Sequence, residues 1–153
     1  GEGSQKRFLK KEVFRKKLKN VIFVDQKPPH LMPYFFKKAS ALLVTLSDNE
    51  VLNLTLPSKI QAYLSSQMPI IAAINGTSAE ILLESGAALV SPAEDSYALR
   101  NSIIKFIKLS DQKKKIMSKN GKIYFDKNFS QEVIINKLLK YIFRVKKLNE
   151  KKS

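Results

Sequence analysis

The chain has 153 residues, a length suited to one domain with a buried core rather than two. A hydrophobic share of 44% argues against intrinsic disorder, and zero Cys excludes disulfides and thiolate metal sites, making a reducing cytoplasm the simplest compartment. The 28 basic and 13 acidic residues leave a formal charge of +15, which points to an anionic partner (a nucleic acid, an anionic membrane or a diphosphate-bearing small molecule) or to mere lysine-rich codon bias.

No apolar run approaches the roughly 20 residues needed to span a bilayer. No signal peptide opens the chain, and Gly1 stands where Met would, which reads as a cut from a longer protein. The first predicted helix runs from Phe8 to Lys19, with Phe8, Leu9, Val13, Phe14 and Leu18 near helical spacing. A first strand is predicted at Val21-Ile22-Phe23-Val24. The loop behind it, Asp25-Gln26-Lys27-Pro28-Pro29-His30, carries polar groups suited to a nucleobase, and its two prolines stiffen the path. His30 is the only histidine, so a His-based metal site or a Ser-His-Asp triad has little material.

The second strand is Ala41 to Leu46. Asp48 and Glu50 follow it, and a carboxylate there suits sugar hydroxyls as well as it suits plain solvent. Next comes Thr55-Leu56-Pro57-Ser58-Lys59, immediately before a helix from Lys59 to Ser66. A helix N-terminus presents unpaired N–H groups and partial positive charge, so it can hold a phosphate; Ser58 adds a hydroxyl and Lys59 a full charge. The plain alternative is an ordinary helix start with a solvated lysine, and no Gly-rich Walker loop precedes the lysine. A third strand covers Pro69 to Ile74. Asn75-Gly76-Thr77-Ser78 then turns into a helix from Ser78 to Ser85, with Thr77 or Ser78 as its cap and Gly86 closing it. The fourth strand is Ala87 to Val90. Helices at Tyr97–Leu109, Asp111–Lys119 and Gln131–Leu148 fill the last third, and Lys146 to Ser153 forms a basic tail.

The strand runs are apolar throughout rather than alternating, as in parallel strands covered on both faces. The predicted fold is therefore α/β, a doubly wound parallel sheet over residues 1–145 with a helical C-terminal extension. In such sheets ligands bind at the carboxyl ends of the strands.

The ordered set of segments resembles the C-terminal half of glycosyltransferase family 4. Gly1-Glu2-Gly3 looks like the family's G-x-G, and Asn20 to Val24 its N-V-x-F strand. Met32-Pro33-Tyr34 with Ala39 to Val44 is similar to its MP-Y and A-D-x-L-V segment. Thr55 to Lys59, Tyr63-Leu64 and Pro69 to Ala72 match T-x-P-S-K … Y-L-A-x-G-x-P-I-I-A. Asn75-Gly76, Ala79-Glu80, Glu84 to Gly86, Ser91 to Asp95, Met117-Ser118, Gly121, Tyr124 and Phe129-Ser130 follow in order. The T-P-S-K variant is most similar to transferases of bacterial surface polysaccharides that use UDP-linked N-acetylamino sugars, fucosaminyl transferases included.

The resemblance implies a GT-B fold with a Rossmann-like C-terminal domain truncated at its N-terminus, and a retaining glycosyltransferase of O-antigen or capsule synthesis. This half would bind the UDP-sugar donor; the acceptor domain would be missing. Thr55, Ser58 and Lys59 would lie at the donor diphosphate, Glu50 at the donor sugar, and Asp25, Gln26 and Lys27 near the base or ribose. It implies no catalytic residue in this stretch, no metal and no cofactor beyond the donor substrate. The fragment would be inactive alone, and either marginally stable or paired with another copy. Its place would be cytoplasmic, with peripheral contact to an anionic membrane and its lipid-linked acceptor.

Two positions depart from the pattern. The family's usual pair of Glu residues falls on Leu54 and Ala62, which leaves ribose recognition without side chains, and Gln67 replaces the usual Gly before the third strand. A different class, a basic module for nucleic acid or membrane, would rest on Lys113-Lys114-Lys115, Lys146-Lys147 and Lys151-Lys152. No helix-turn-helix, RNP-like or zinc-finger signature accompanies them, so nucleic acid is not expected as a partner. A sugar-nucleotide epimerase or hydrolase of the same fold would need catalytic carboxylates and histidines that are scarce here.

Overall fold

A computed structural model describes residues 2–150. Gly1 of the Gly-Glu-Gly segment and residues 151–153 of the basic tail lie outside the described residues. The chain divides into two compact units, one ending at Phe35 and one beginning at Phe36.

The N-terminal unit is built on α1 (Lys6–Arg15). Lys6 gathers the carboxylates of Glu2 and Asp25, the latter at 2.9 Å. These partners raise the Lys6 pKa, Glu2 first and Asp25 second, and Lys6 in turn lowers that of Asp25. Arg15 closes on Glu12 at 2.6 Å one turn back. A 3₁₀ turn at Pro29–Leu31 leads into α2 (Met32–Lys38), two elements the sequence pattern did not announce. The predicted strand at Val21–Val24 does not form, and Ile22 is 85% exposed. A strand needs a neighbour to share its ladder and a layer to cover it. The regular elements of this unit are all helical, so the run finds neither.

The second unit holds a three-stranded parallel sheet in the order β1 (Leu42–Thr45), β2 (Ile70–Ala73), β3 (Ala88–Ser91), with Val44, Ala72 and Val90 in register. A short α3 (Glu50–Asn53) and α4 (Ser58–Ser65) link β1 to β2, and α5 (Gly76–Ser85) links β2 to β3. Three helices follow: α6 (Ser96–Ile107), α7 (Asp111–Phe129) and α8 (Gln131–Glu150). This is the α/β, Rossmann-like arrangement with a helical C-terminal extension that the alternation predicts.

The core lies on one face of the sheet. Val44, Ile70, Ala72 and Ile74 meet Ile60 and Leu64 of α4, Leu82 of α5 and Ala87, with Tyr124, Phe125 and Phe129 of α7 packed against them. On the opposite face α6 lies over β2 and β3. All four β2 residues are buried accordingly. The expected covering of both faces fails at β1, where Leu42 and Val44 are buried but Leu43 and Thr45 are exposed. The reason is cover: β1 and β3 are both edge strands, but α6 packs over β3 and β2 rather than over β1.

Three positions show how the helices are seated. Gly86 closes α5 in the left-handed conformation at φ 62°, as the sequence predicts. The α7 helix runs past the predicted end at Lys119 because Gly121 is not a break. A Cβ there would stand 3.3 Å from the Leu64 carbonyl oxygen, so the bare glycine lets α7 lie close on α4. After α4, Gln67 takes φ 58° to turn the chain into β2. An L-residue with a Cβ pays about 1–2 kcal/mol there. Gln67→Gly should therefore raise stability by about 0.5–1 kcal/mol after the entropy of the freer unfolded chain is subtracted, measured as a higher urea midpoint. A lower midpoint would show that the Gln67 side chain contributes more than its strained backbone costs.

Candidate functional site

All three strands end on the same edge, and the segments that leave them are held together by side-chain hydrogen bonds. Asn49 caps α3, its Oδ1 accepting from the Val51 N–H at 2.9 Å. The Asn53 amide donates to Asp48 Oδ1 at 2.9 Å, and the Asp48 N–H donates to Glu94 Oε1 at 3.4 Å. Asn53 first, and Asn75 second, hold the Asp48 carboxyl below its ordinary range, because both donate to its charged form. Asn75 Oδ1 also accepts from the Ala93 N–H at 3.1 Å, which ties the end of β2 to the segment after β3.

A second set of contacts ties α5 to the loop after β1. The Ser78 hydroxyl is fully buried and donates to the Thr55 carbonyl at 2.9 Å. The expected cap at Thr77 or Ser78 is therefore not formed: α5 begins at Gly76, which puts both residues inside its first turn, and Asn75 occupies the N-cap without a side-chain capping bond. Gly76 lies against the same loop, where an added Cβ would be 2.1 Å from the Asn53 carbonyl oxygen.

This braced edge surrounds a cavity of about 380 Å³ lined by Thr45, Leu46, Ser47, Ala73, Glu94, Asp95, Ser96 and Leu99. Asp95 caps α6, accepting from the Ala98 N–H at 2.8 Å. The cavity floor is formed by strand ends, and its wall by the start of α6.

None of the residues predicted for the diphosphate lines this cavity; they lie in the connection from β1 to the start of α4. Ser58 and Lys59 open α4 and are exposed, with Pro57 as N-cap and no acidic residue in the first turn. Helix geometry leaves the first N–H groups of α4 without intrahelical partners, and nothing negative in that turn offsets them. Thr55 directs its hydroxyl to the Leu52 carbonyl at 3.1 Å, so it shapes the loop. Glu50 stands exposed in the first turn of α3, where its charge also suits the helix dipole. Glu50, Thr55, Ser58 and Lys59 all fall in the single connection between β1 and β2. Asp25, Gln26 and Lys27 belong to the N-terminal unit, where Asp25 is engaged by Lys6.

The bracing residues Asn53, Asn75 and Glu94 were not singled out as side-chain ligands from sequence. Asn75 was visible only as part of a turn. Asn75 and Glu94 pair with positions 18 and 46 residues away, for which local spacing carries no signal, while Asn53 reaches Asp48 five residues back.

No protein-family model matches the chain, and a search of curated proteins finds no significant relative. Among solved structures it is similar to sucrose-phosphate synthase from Thermosynechococcus elongatus, with a TM-score of 0.71 and 20% sequence identity over 95% of this chain. The chain spans 36% of that protein's length. The likeness shows the fold alone: the α/β arrangement of this chain is that of part of a GT-B structure.

Proposed function

Starting from a GT-B-type domain with a braced carboxyl edge, we propose that the chain is the donor-binding part of a retaining glycosyltransferase that uses a UDP-sugar. The observation that carries this reading is the start of α4, where Ser58 and Lys59 stand exposed beside an acid-free first turn in the connection that leaves the carboxyl end of β1. Backbone N–H groups, a hydroxyl and an ammonium are the donors a diphosphate needs. In sugar transfer the bond between the anomeric carbon and the diphosphate oxygen breaks, and negative charge develops on the departing diphosphate. Donors fixed in place before that charge appears lower the barrier, since they need no reorganisation. Glu50 is assigned to the sugar hydroxyls, and Asp25, Gln26 and Lys27 to the base. The T-x-P-S-K motif favours family 4 and, within it, the transferases of bacterial surface polysaccharides that take N-acetylamino sugars.

Titration of the chain with UDP, followed by calorimetry, tests the reading. Saturable binding is expected, with Lys59→Ala weakening it about 10- to 100-fold, the loss of one charge-assisted hydrogen bond. Ser58→Ala should weaken it less. Absence of UDP binding, or binding indifferent to Lys59→Ala, would remove the donor-site assignment and leave only the fold.

A further inference from the structure

Three serines are buried, and Ser78 is set apart from the other two by where its bond goes. Ser85 bonds locally, to the Leu82 carbonyl and the Ala87 N–H, and Ser91 bonds to the Ala72 carbonyl of the neighbouring strand. Ser78 reaches out of α5 and donates to the carbonyl of Thr55, 23 residues earlier, in the connection from β1 to α4. The side chain has no exposed surface, so its hydroxyl is committed to that acceptor. The approach is close by construction: α3 packs on α5, and a Cβ at Gly76 would stand 2.1 Å from the Asn53 carbonyl oxygen.

Only Leu56 and Pro57 separate this anchored carbonyl from Ser58, the first residue of α4. Neither can swivel freely. The proline ring fixes φ, here −58°, and a residue before proline is held to extended backbone. Leu56 is also half-buried against the core. A fixed Thr55 carbonyl therefore fixes the direction in which α4 sets out.

Two N–H groups at that start are open. The Pro57 carbonyl takes the Ile60 N–H at 2.9 Å, and among the described residues no hydrogen bond engages the N–H of Ser58 or Lys59. Helix geometry aims such groups out of the N-terminal end.

We propose that Ser78 is a positioning residue of the donor site: through the Thr55 carbonyl it holds the Ser58 and Lys59 N–H groups in the direction a diphosphate needs before one arrives. This rests on the donor-binding reading of α4 and adds to it a residue that touches no ligand. Donors fixed beforehand lose less freedom on binding, and so bind more tightly.

The test compares the unaltered chain with Ser78→Ala, both folded, by backbone nuclear magnetic relaxation and by UDP calorimetry. Alanine suits the helix and removes only the anchor. Order parameters at the Ser58, Lys59 and Ile60 N–H groups should fall from the rigid value of about 0.85 toward about 0.6. Those of Ile70 and Ile74, bonded across the sheet, should stay rigid. UDP affinity should fall about tenfold. Ser78→Thr and Ser78→Val add the same bulk and differ in the hydroxyl, so Ser78→Thr should bind UDP more tightly than Ser78→Val.

A loosening shared equally by Ile60, Ile70 and Ile74 would leave Ser78 a general packing role and overturn the proposal. So would unchanged order parameters at the start of α4, or equal UDP affinity for Ser78→Thr and Ser78→Val. A chain that binds no UDP before any substitution sinks the donor-site reading and this role with it. UDP binding that ignores Ser78→Ala sinks this role alone.

Discussion

Gly76→Ala is expected to cost at least about 3 kcal/mol and to remove the ordered carboxyl edge of the sheet. Two effects add. The backbone at Gly76 sits at φ 67°, where a Cβ costs about 1–2 kcal/mol in its own right. The new methyl would also stand 2.1 Å from the Asn53 carbonyl oxygen and 2.6 Å from its carbonyl carbon. Those are backbone atoms, so relief requires α3 and α5 to separate, not a side chain to swing. Separation breaks the bond from Ser78 to the Thr55 carbonyl and leaves a buried hydroxyl unpaired, at a further cost of about 1–3 kcal/mol. The measurement is a urea unfolding midpoint, with Gly3→Ala as the control, since nothing lies within 4 Å of a Cβ at Gly3. Equal midpoints for the two variants would mean that the close approach of α5 to the β1–β2 connection is wrong. A stable Gly76→Ala chain that still bound UDP would separate the bracing from ligand binding.

Leu64→Ala should destabilise by about 2–5 kcal/mol, the range for removing a leucine from a packed interior. Leu64 has no exposed surface, and it lies in the cluster with Val44, Ile60 and Ala72. The site is poorly able to collapse. One wall is sheet backbone, and the other is α7 held close through Gly121, whose added Cβ would already approach Leu64 atoms at 3.3 and 3.7 Å. For a chain of this size the melting temperature should fall by roughly 2–4 °C per kcal/mol. A loss below about 1 kcal/mol would mean that the second unit is loosely packed around α4. A matched surface change on the same helix, Ala62→Ser, should shift the midpoint little, since Ala62 is exposed.

The contrast between Val21–Val24 and Pro69–Ile74 shows what an apolar run by itself can specify. Both are short, continuous and bounded by polar residues. Only the second is a strand, because β1 and β3 flank it and α4, α5 and α6 cover it. Gly121 and Gly76 carry a related lesson. The helical pattern ends at Lys119, yet Gly121 lies inside α7, at the point where it touches α4. Gly76 reads as a tight turn; it opens α5 at φ 67°, and the closeness of Asn53 is what bars any side chain there. The short α3 was missed because four residues offer no periodicity, although Asn49 stands at its N-cap.

Apart from α3, the chain order of elements from β1 to α8, the left-handed cap at Gly86 and the helix opened by Pro57 and Ser58 were legible in the residues. Each follows from local rules: apolar runs, helical spacing, and the backbone limits of proline and glycine. Tertiary structure alone decided which runs became strands, that β1 is an edge with one open face, and that Asp48, Asn53, Asn75, Glu94 and Ser78 brace one rim. Those outcomes depend on which distant groups meet, and hydrogen bonding between residues tens of positions apart leaves no imprint on local pattern.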